Sequence, residues 1–283
     1  MSIPKYLLRE FVKKALEEDI GSGDITTEAI VSDGMYGKAI AMAKEDGIIA
    51  GLSIFEEVFH FLDPETVVTL KVSDGQFVKS GDIIAEVYGK VKTILESERV
   101  ALNFIQRLSG IATYTYNCVK AAEGTKVKII DTRKTTPLLR VLEKYAVKVG
   151  GGENHRFGLY DMVLIKDNHI KAAGGIAEAV KKVKAKVSPY YKIEVEASNL
   201  DEVQEALSSK VDVILLDNMG VEKIRRAVDI INGKCMIEIS GNISQEDIKL
   251  LAPLGIDFIS MGKLTHSAKS LDINLKIKEK EII

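Results

Sequence analysis

At 283 residues, 46% apolar and 28% charged, the chain has the make-up of an ordinary globular protein, long enough for one barrel or two domains. A net charge of −2 argues against a nucleic-acid partner held by a broad basic face, and no run of roughly 18 apolar residues exists to span a membrane. Cys118 and Cys235 lie far apart without metal-ligand spacing, which excludes a disulfide framework and a cysteine zinc site and fits a reducing cytoplasm.

The N-terminal "MSIPKYLLREFVKKALEEDIG" mixes Lys, Arg and Glu among its apolar positions and reads as an amphipathic helix, not as the apolar core of a signal peptide. Residues 35–90 are β-rich, with β-branched runs broken by Asp-Gly and Ser-Gly turns. From Leu95 the period changes: Ala101, Phe104, Ile105 and Leu108 follow i, i+3, i+4, i+7, the stripe of a helix. Gly110 predicts a break into two helices. The domain boundary is placed there, separating 1–109 from 110–269. The alternating tail "LDINLKIKEKEII" reads as a strand returning, within 270–283, to the first domain.

Beyond the boundary, short apolar strands are predicted at "VKIID", "MVLIKD", "KIEVE", "VDVILLD", "CMIEIS" and "IDFISMG", most separated by amphipathic helices. Strand alternating with helix means right-handed βαβ units and a parallel sheet. Two layouts remain open, a doubly wound sheet and a closed or incomplete barrel. The strand ends favour the barrel. They carry Asp131 with Arg133 and Lys134, then Lys166, Glu196, Asp217, Ser240 with Gly241, and Gly262. Functional residues from every strand end around one mouth are a barrel property.

The stretch from Arg133 to His169 holds seven Lys/Arg against four Asp/Glu, in a chain with 39 against 41. Part of it is a predicted helix, with Thr136 as cap, Pro137 at the first position and Gly150 past the end, and with Glu143, Lys144 and Lys148 facing solvent. Arg133 and Lys134 lie between a strand end and that helix, a placement that favours an anion. "GGGENHR" adds His155 and Arg156. Lys166 ends a strand pointing into the same mouth, where it needs an anionic partner, and His169 orients its loop. Glu196 and Asp217 supply carboxylates for hydroxyls or a magnesium-bound diphosphate. "SGN" and "SMG" end the last two strands, where barrels often hold phosphate. Together these residues describe a transferase acting on a phosphorylated sugar and a small acid.

The chain resembles the quinolinate phosphoribosyltransferase family nearly end to end, through "GDITT", "ERVALN", "DTRKTTP", "EKYAVKVGGGENHR", "IKDNH", "LLDN", "SGNI" and "SMGKLTHS". The resemblance implies an N-terminal α/β sandwich-like domain followed by an open, incomplete α/β barrel with parallel strands. It implies transfer of phosphoribosyl from phosphoribosyl pyrophosphate to quinolinate with decarboxylation, in de novo NAD synthesis, with Mg²⁺. It places quinolinate against Thr132, Arg133, Lys134, His155, Arg156 and Lys166, with Arg99 supplied by the second subunit of a homodimer. Lys134, Lys166, Glu196 and Asp217 are the implied catalytic set, with Glu196 and Asp217 also facing the metal. Ser240, Gly241, Asn242, Ser260, Met261 and Gly262 are the implied phosphate site.

Two rivals exist. One is a paralogous phosphoribosyltransferase that takes a different pyridine acid; a site built for two carboxylates disfavours it. The other is a lipoyl- or biotinyl-type carrier module, since "DGQFVKSGDIIAEVYGK" resembles a carrier hairpin with Lys90 near the modified position.

Overall fold

The computed structural model describes residues 3–282, which divide into two compact units. Residues 3–116, 141–151 and 267–282 form the first unit, and residues 117–140 and 152–266 the second. Among the described residues no helix is long and apolar enough to cross a membrane.

In the first unit, α1 (Lys5–Ile20) buries Leu8, Val12 and Leu16, the stripe its sequence shows. α2 (Ile25–Ile30) starts at Asp24, whose carboxylate accepts from the backbone N–H groups of Thr26 and Thr27 at 3.0 Å each. "GDITT" is therefore a helix start with a side-chain cap. Then come β1 (Met35–Ala43), β2 (Gly47–Ile48), α3 (Leu52–Leu62), β3 (Val67–Leu70), β4 (Phe77–Val78) and β5 (Ile83–Lys90). Lys90 ends β5 directly before the next helix and pairs with Asp63 at 3.0 Å. It occupies no hairpin tip, so the carrier reading finds no modified-lysine turn.

α4 (Val91–Ala121) is one helix of 31 residues, where two were predicted. Gly110 does not break it. A Cβ there would lie 2.1 Å from the Lys269 carbonyl oxygen, so the glycine serves a close backbone approach. Ala101, Ile105 and Leu108 of the predicted stripe are buried, Phe104 is half-buried, and Arg99 is exposed.

The second unit holds β6 (Lys128–Ile130); the next helix in the chain, α5 (Arg140–Val149), lies in the first unit apart from Arg140. The helix begins at Arg140, not at Pro137, because Leu138 sits at φ 67°, outside the helical region. Two of its predicted solvent-facing charges, Glu143 and Lys144, are fully buried, while Lys148 is half-buried. Glu143 is buried because Arg107 of α4 meets its Oε1 through Nη2 at 2.8 Å and Nε at 3.2 Å.

β7 (Val163–Ile165), α6 (Asp167–Ala173), α7 (Ile176–Lys186), β8 (Ile193–Ala197), α8 (Leu200–Ser208), β9 (Val213–Asp217), α9 (Val221–Ile231), β10 (Met236–Ser240), α10 (Gln245–Leu251), β11 (Phe258–Ser260) and α11 (Lys263–His266) continue the alternation. All six predicted strands pair in one parallel sheet, in the order β6-β11-β10-β9-β8-β7. The order is cyclic, with no switch point, and β6 and β7 are its two edges. The sheet is an open, incomplete barrel, as expected, and the strand ends converge on one mouth. The chain closes with β12 (Ile273–Ile282), antiparallel to β1, giving the first unit the four-stranded sheet β12-β1-β5-β3.

Candidate active site

A cavity of about 620 Å³ opens at the C-terminal ends of the barrel strands. Of the expected site residues all but Arg99 line it, fourteen side chains and backbone segments from every strand end. Arg99 lies on α4 in the other unit.

Charge is segregated around the mouth. Arg133 and Lys134 follow β6, Arg156 precedes β7, and Lys166 follows it. The turn at Thr132 is fixed by its hydroxyl, which accepts from the Lys134 N–H at 3.1 Å, while the Lys134 carbonyl accepts from the Thr265 hydroxyl at 2.8 Å. Lys166 meets Glu196 on the neighbouring strand at 3.2 Å, and its backbone N–H donates to Nδ1 of His169 at 3.0 Å. His169 thus orients the Lys166 turn and does not line the mouth. Burial, then repulsion from Arg133, pulls the Arg156 pKa below its ordinary value.

His155 stands on the floor. Its Nδ1 accepts from the Arg156 N–H at 2.6 Å, which leaves the ring hydrogen on Nε2, 3.0 Å from Glu194 Oε2 and 3.6 Å from Glu238 Oε2. Both ring nitrogens have protein partners, and His155 lines the cavity. Asp131, fully buried, braces the same loop through the His155 N–H at 2.9 Å and the Asn154 amide at 2.6 Å.

Glu194 and Glu238 are buried, and one oxygen of each lacks a hydrogen-bond partner. Burial pushes Glu194 up to about 7, and burial with the charge of Glu194 pushes Glu238 up to about 8. Two facing carboxylates share a proton more readily than they share a negative charge. One ligand atom from each of His155, Glu194 and Glu238 lies within 4.8 Å of the others, a spacing compatible with a divalent cation. A cation there requires the ring hydrogen on Nδ1; in the tautomer set by the Arg156 N–H, the cluster is a hydrogen-bond network.

The reading from sequence missed Glu194 and Glu238, although the signal was present. "KIEVE" and "MIEIS" each carry a glutamate inside a strand otherwise apolar, two residues before the strand-end residue. In a parallel sheet covered on both faces, such a carboxyl needs a partner or a proton.

Glu196 and Asp217 line the cavity at adjacent strand ends, and Asp217 accepts from the Asn218 amide at 2.8 Å. Hard carboxylate oxygens facing an open cavity suit a divalent cation. At the last two strand ends, a Cβ on Gly241 (φ 145°) would meet Asn218 Oδ1 at 2.7 Å, and one on Gly262 would meet Lys134 Cδ at 2.8 Å. The Lys134 stem therefore runs over the glycine end of the mouth. The Met261 N–H donates to the Ile130 carbonyl at 3.0 Å, in the sheet.

Family models for the N-terminal and C-terminal domains of quinolinate phosphoribosyl transferase match residues 24–109 and 111–276. A probable carboxylating nicotinate-nucleotide pyrophosphorylase of Bacillus subtilis is 43% identical over 270 residues, 95% of this chain and 93% of that protein. The crystal structure of NadC from Streptococcus pyogenes superposes with a TM-score of 0.95 at 43% identity, covering 100% of this chain and 99% of that one. The nicotinate-nucleotide pyrophosphorylase from Francisella tularensis gives a TM-score of 0.93 at 43% identity, covering 98% of each.

Proposed function

The chain is an enzyme that belongs to the quinolinate phosphoribosyltransferase family, and from that premise we propose that it transfers phosphoribosyl from phosphoribosyl pyrophosphate to quinolinate N1 with loss of CO₂. The products are nicotinate mononucleotide and pyrophosphate, in de novo NAD synthesis. One observation carries the reading: a single mouth sets four cations on its β6–β7 side, two carboxylates on β8 and β9, and glycine-lined turns after β10 and β11.

Arg133, Arg156 and Lys166, with the Thr132 turn, receive the two carboxylates of quinolinate. Arginine suits that task because its planar fork pairs with carboxylate through two hydrogen bonds. His155 acts on the acid through Arg156. Lys134, lying over Gly262, reaches between the acid and the diphosphate. Ser240, Gly241, Asn242, Ser260, Met261 and Gly262 border the sugar phosphate. Of these, Met261 contributes through its place in the turn, since its N–H is engaged in the sheet.

Loss of pyrophosphate leaves an oxocarbenium-like ribose, so the site gains rate by holding the pyridine nitrogen in line and by stabilising the departing charge with fixed cations. Glu196 and Asp217 face the ribose and would hold magnesium, which when bound neutralises the diphosphate. After N1 is alkylated, the bond between C2 and its carboxylate breaks and CO₂ leaves. The electron pair stays on C2, where the adjacent positive nitrogen stabilises it, and C2 then takes a proton from water. The same reading makes the enzyme a cytoplasmic homodimer in which Arg99 of the partner subunit reaches quinolinate.

The test is pyrophosphate release from phosphoribosyl pyrophosphate and Mg²⁺, with quinolinate or nicotinate as acceptor. Release should depend on quinolinate. Equal turnover with nicotinate, or none with quinolinate, removes the assignment.

A further inference from the structure

Arg140 does not line the mouth, yet its guanidinium is engaged along its whole fork. Nε donates to the Thr135 hydroxyl at 3.0 Å, Nη1 to the Phe157 carbonyl at 3.0 Å, and Nη2 to the Arg133 carbonyl at 3.4 Å. Thr135 and Arg133 belong to the segment after β6. Phe157 follows Arg156 in the segment before β7. One planar side chain therefore ties the two stretches that present Arg133 and Arg156.

Both stretches are irregular backbone and are held at several points, the first also by the Thr265 hydroxyl, which donates to the Lys134 carbonyl. Asp161 accepts from the N–H groups of Phe157 at 2.6 Å and Gly158 at 2.9 Å, closing one loop on itself. Thr132 closes the other through the Lys134 N–H. Asp131 joins the two stretches at their base, through Asn154 and His155. Arg140 joins them a second time, at the backbone carbonyls of Arg133 and of Phe157, the residue after Arg156. The tie opposes repulsion between the two guanidiniums: burial first, and then the charge of Arg133, lower the Arg156 pKa.

We propose that Arg140 is a positioning residue that sets the separation of Arg133 and Arg156, and thereby selects an acid with carboxylates on adjacent ring atoms over one with a single carboxylate. The inference rests on the proposed quinolinate reaction. Lysine cannot replace Arg140, because an ammonium is a point charge on a flexible stem, while the guanidinium holds its donors in one plane and reaches three acceptors at once. Without the tie the two cations relax apart, and a dicarboxylate must draw them together as it binds. The phosphate end of the mouth, after β10 and β11, is unaffected.

Arg140→Lys and Arg140→Ala, studied by steady-state kinetics on the full-length enzyme, test this. KM for quinolinate should rise by roughly tenfold or more, while kcat and KM for phosphoribosyl pyrophosphate stay within about threefold of the parent. Preference for quinolinate over nicotinate, as a ratio of kcat/KM, should fall by a similar factor. Added methylguanidinium should recover part of the quinolinate KM in Arg140→Ala and leave Arg140→Lys unchanged, a response that a general packing defect does not give. If Arg140→Ala does not fold, Arg140→Lys carries the test. Thr135→Val, which removes one acceptor, should shift quinolinate KM less in the same direction. Normal quinolinate KM in Arg140→Lys, or a fall in kcat with both KM values unchanged, overturns the positioning role while leaving the reaction standing. A parent enzyme that does not turn over quinolinate overturns both.

Discussion

Lys166 shows how one side chain serves two neighbours in this mouth. It is half-exposed and pairs with Glu196, an arrangement worth at most about 1 kcal/mol to stability at such a solvent-exposed site. Its value lies in the charge it fixes beside the substrate. Lys166→Ala and Lys134→Ala should each lower kcat/KM about 100-fold or more, as removal of a preorganised charge does, with Tm changed by only a few degrees. Kinetics and thermal melts on the same preparations decide it, and near-normal turnover in both variants would remove them from the site. Glu238 is the reverse case, a side chain whose protonation couples to stability. Its pKa rises from an ordinary 4.5 to about 8, so the folded protein keeps a proton that the unfolded chain has released. That contribution is fully present below about pH 4.5 and is lost as pH rises through about 8, an effect on the order of a few kcal/mol. Glu238→Gln keeps the shape and deletes the titration. Its Tm should therefore decline less than the parent's between pH 5 and pH 9, and parallel profiles would show that Glu238 is charged at neutral pH.

Elements in this protein are shaped by what approaches them. α4 continues through Gly110 because helix propensity on both sides exceeds the penalty of one glycine, about 1 kcal/mol. In an open helix Gly→Ala would gain that amount. Here the new methyl meets backbone at Lys269 and Ser270, at 2.1 Å and 2.8 Å, and backbone cannot rotate away. Gly110→Ala should thus destabilise by roughly 1–3 kcal/mol or more, read as a lower urea midpoint. A raised midpoint would mean that no such approach exists in solution. α5 follows the same logic at its start: Arg140, not the Thr136-Pro137 signal, opens the helix, because Leu138 at φ 67° keeps the chain out of the helical region, and the Arg140 guanidinium meets Thr135 and Arg133 before the helix and Phe157 beyond it.

For the molecule as a whole, the proposed shared site makes a prediction that single chains cannot imitate. Arg99→Ala and Lys166→Ala should each be nearly inactive alone. Refolded together in equal amounts, about half of the dimers should be mixed, each with one intact and one doubly damaged site, so roughly a quarter of all sites recover. Activity that stays at the level of the single variants, with mixed dimers demonstrated by mass, would place Arg99 within its own chain or outside the reaction. Arg99 suits the role in one respect visible here: it is exposed on α4, while Ala101, Ile105 and Leu108 of the same helix are buried.

What the sequence determined by itself was periodicity and the chemistry of strand ends. Alternation of strand and helix required a parallel sheet, and polar residues at every strand end pointed to a barrel mouth, because both follow from local spacing. Arg133, Lys166, Glu196 and Asp217 could be placed at one opening on that ground alone, as strand ends in a barrel converge whatever the loops do. Tertiary structure decided the matters that depend on partners distant in the chain. Glu143 looked solvent-facing until Arg107 was brought to it. Gly110 looked like a break until Lys269 lay against it. Glu194 and Glu238 stood in plain view within apolar strands, but only folding could set them under His155 and raise their pKa values, since desolvation and facing charge are properties of a place and not of a residue.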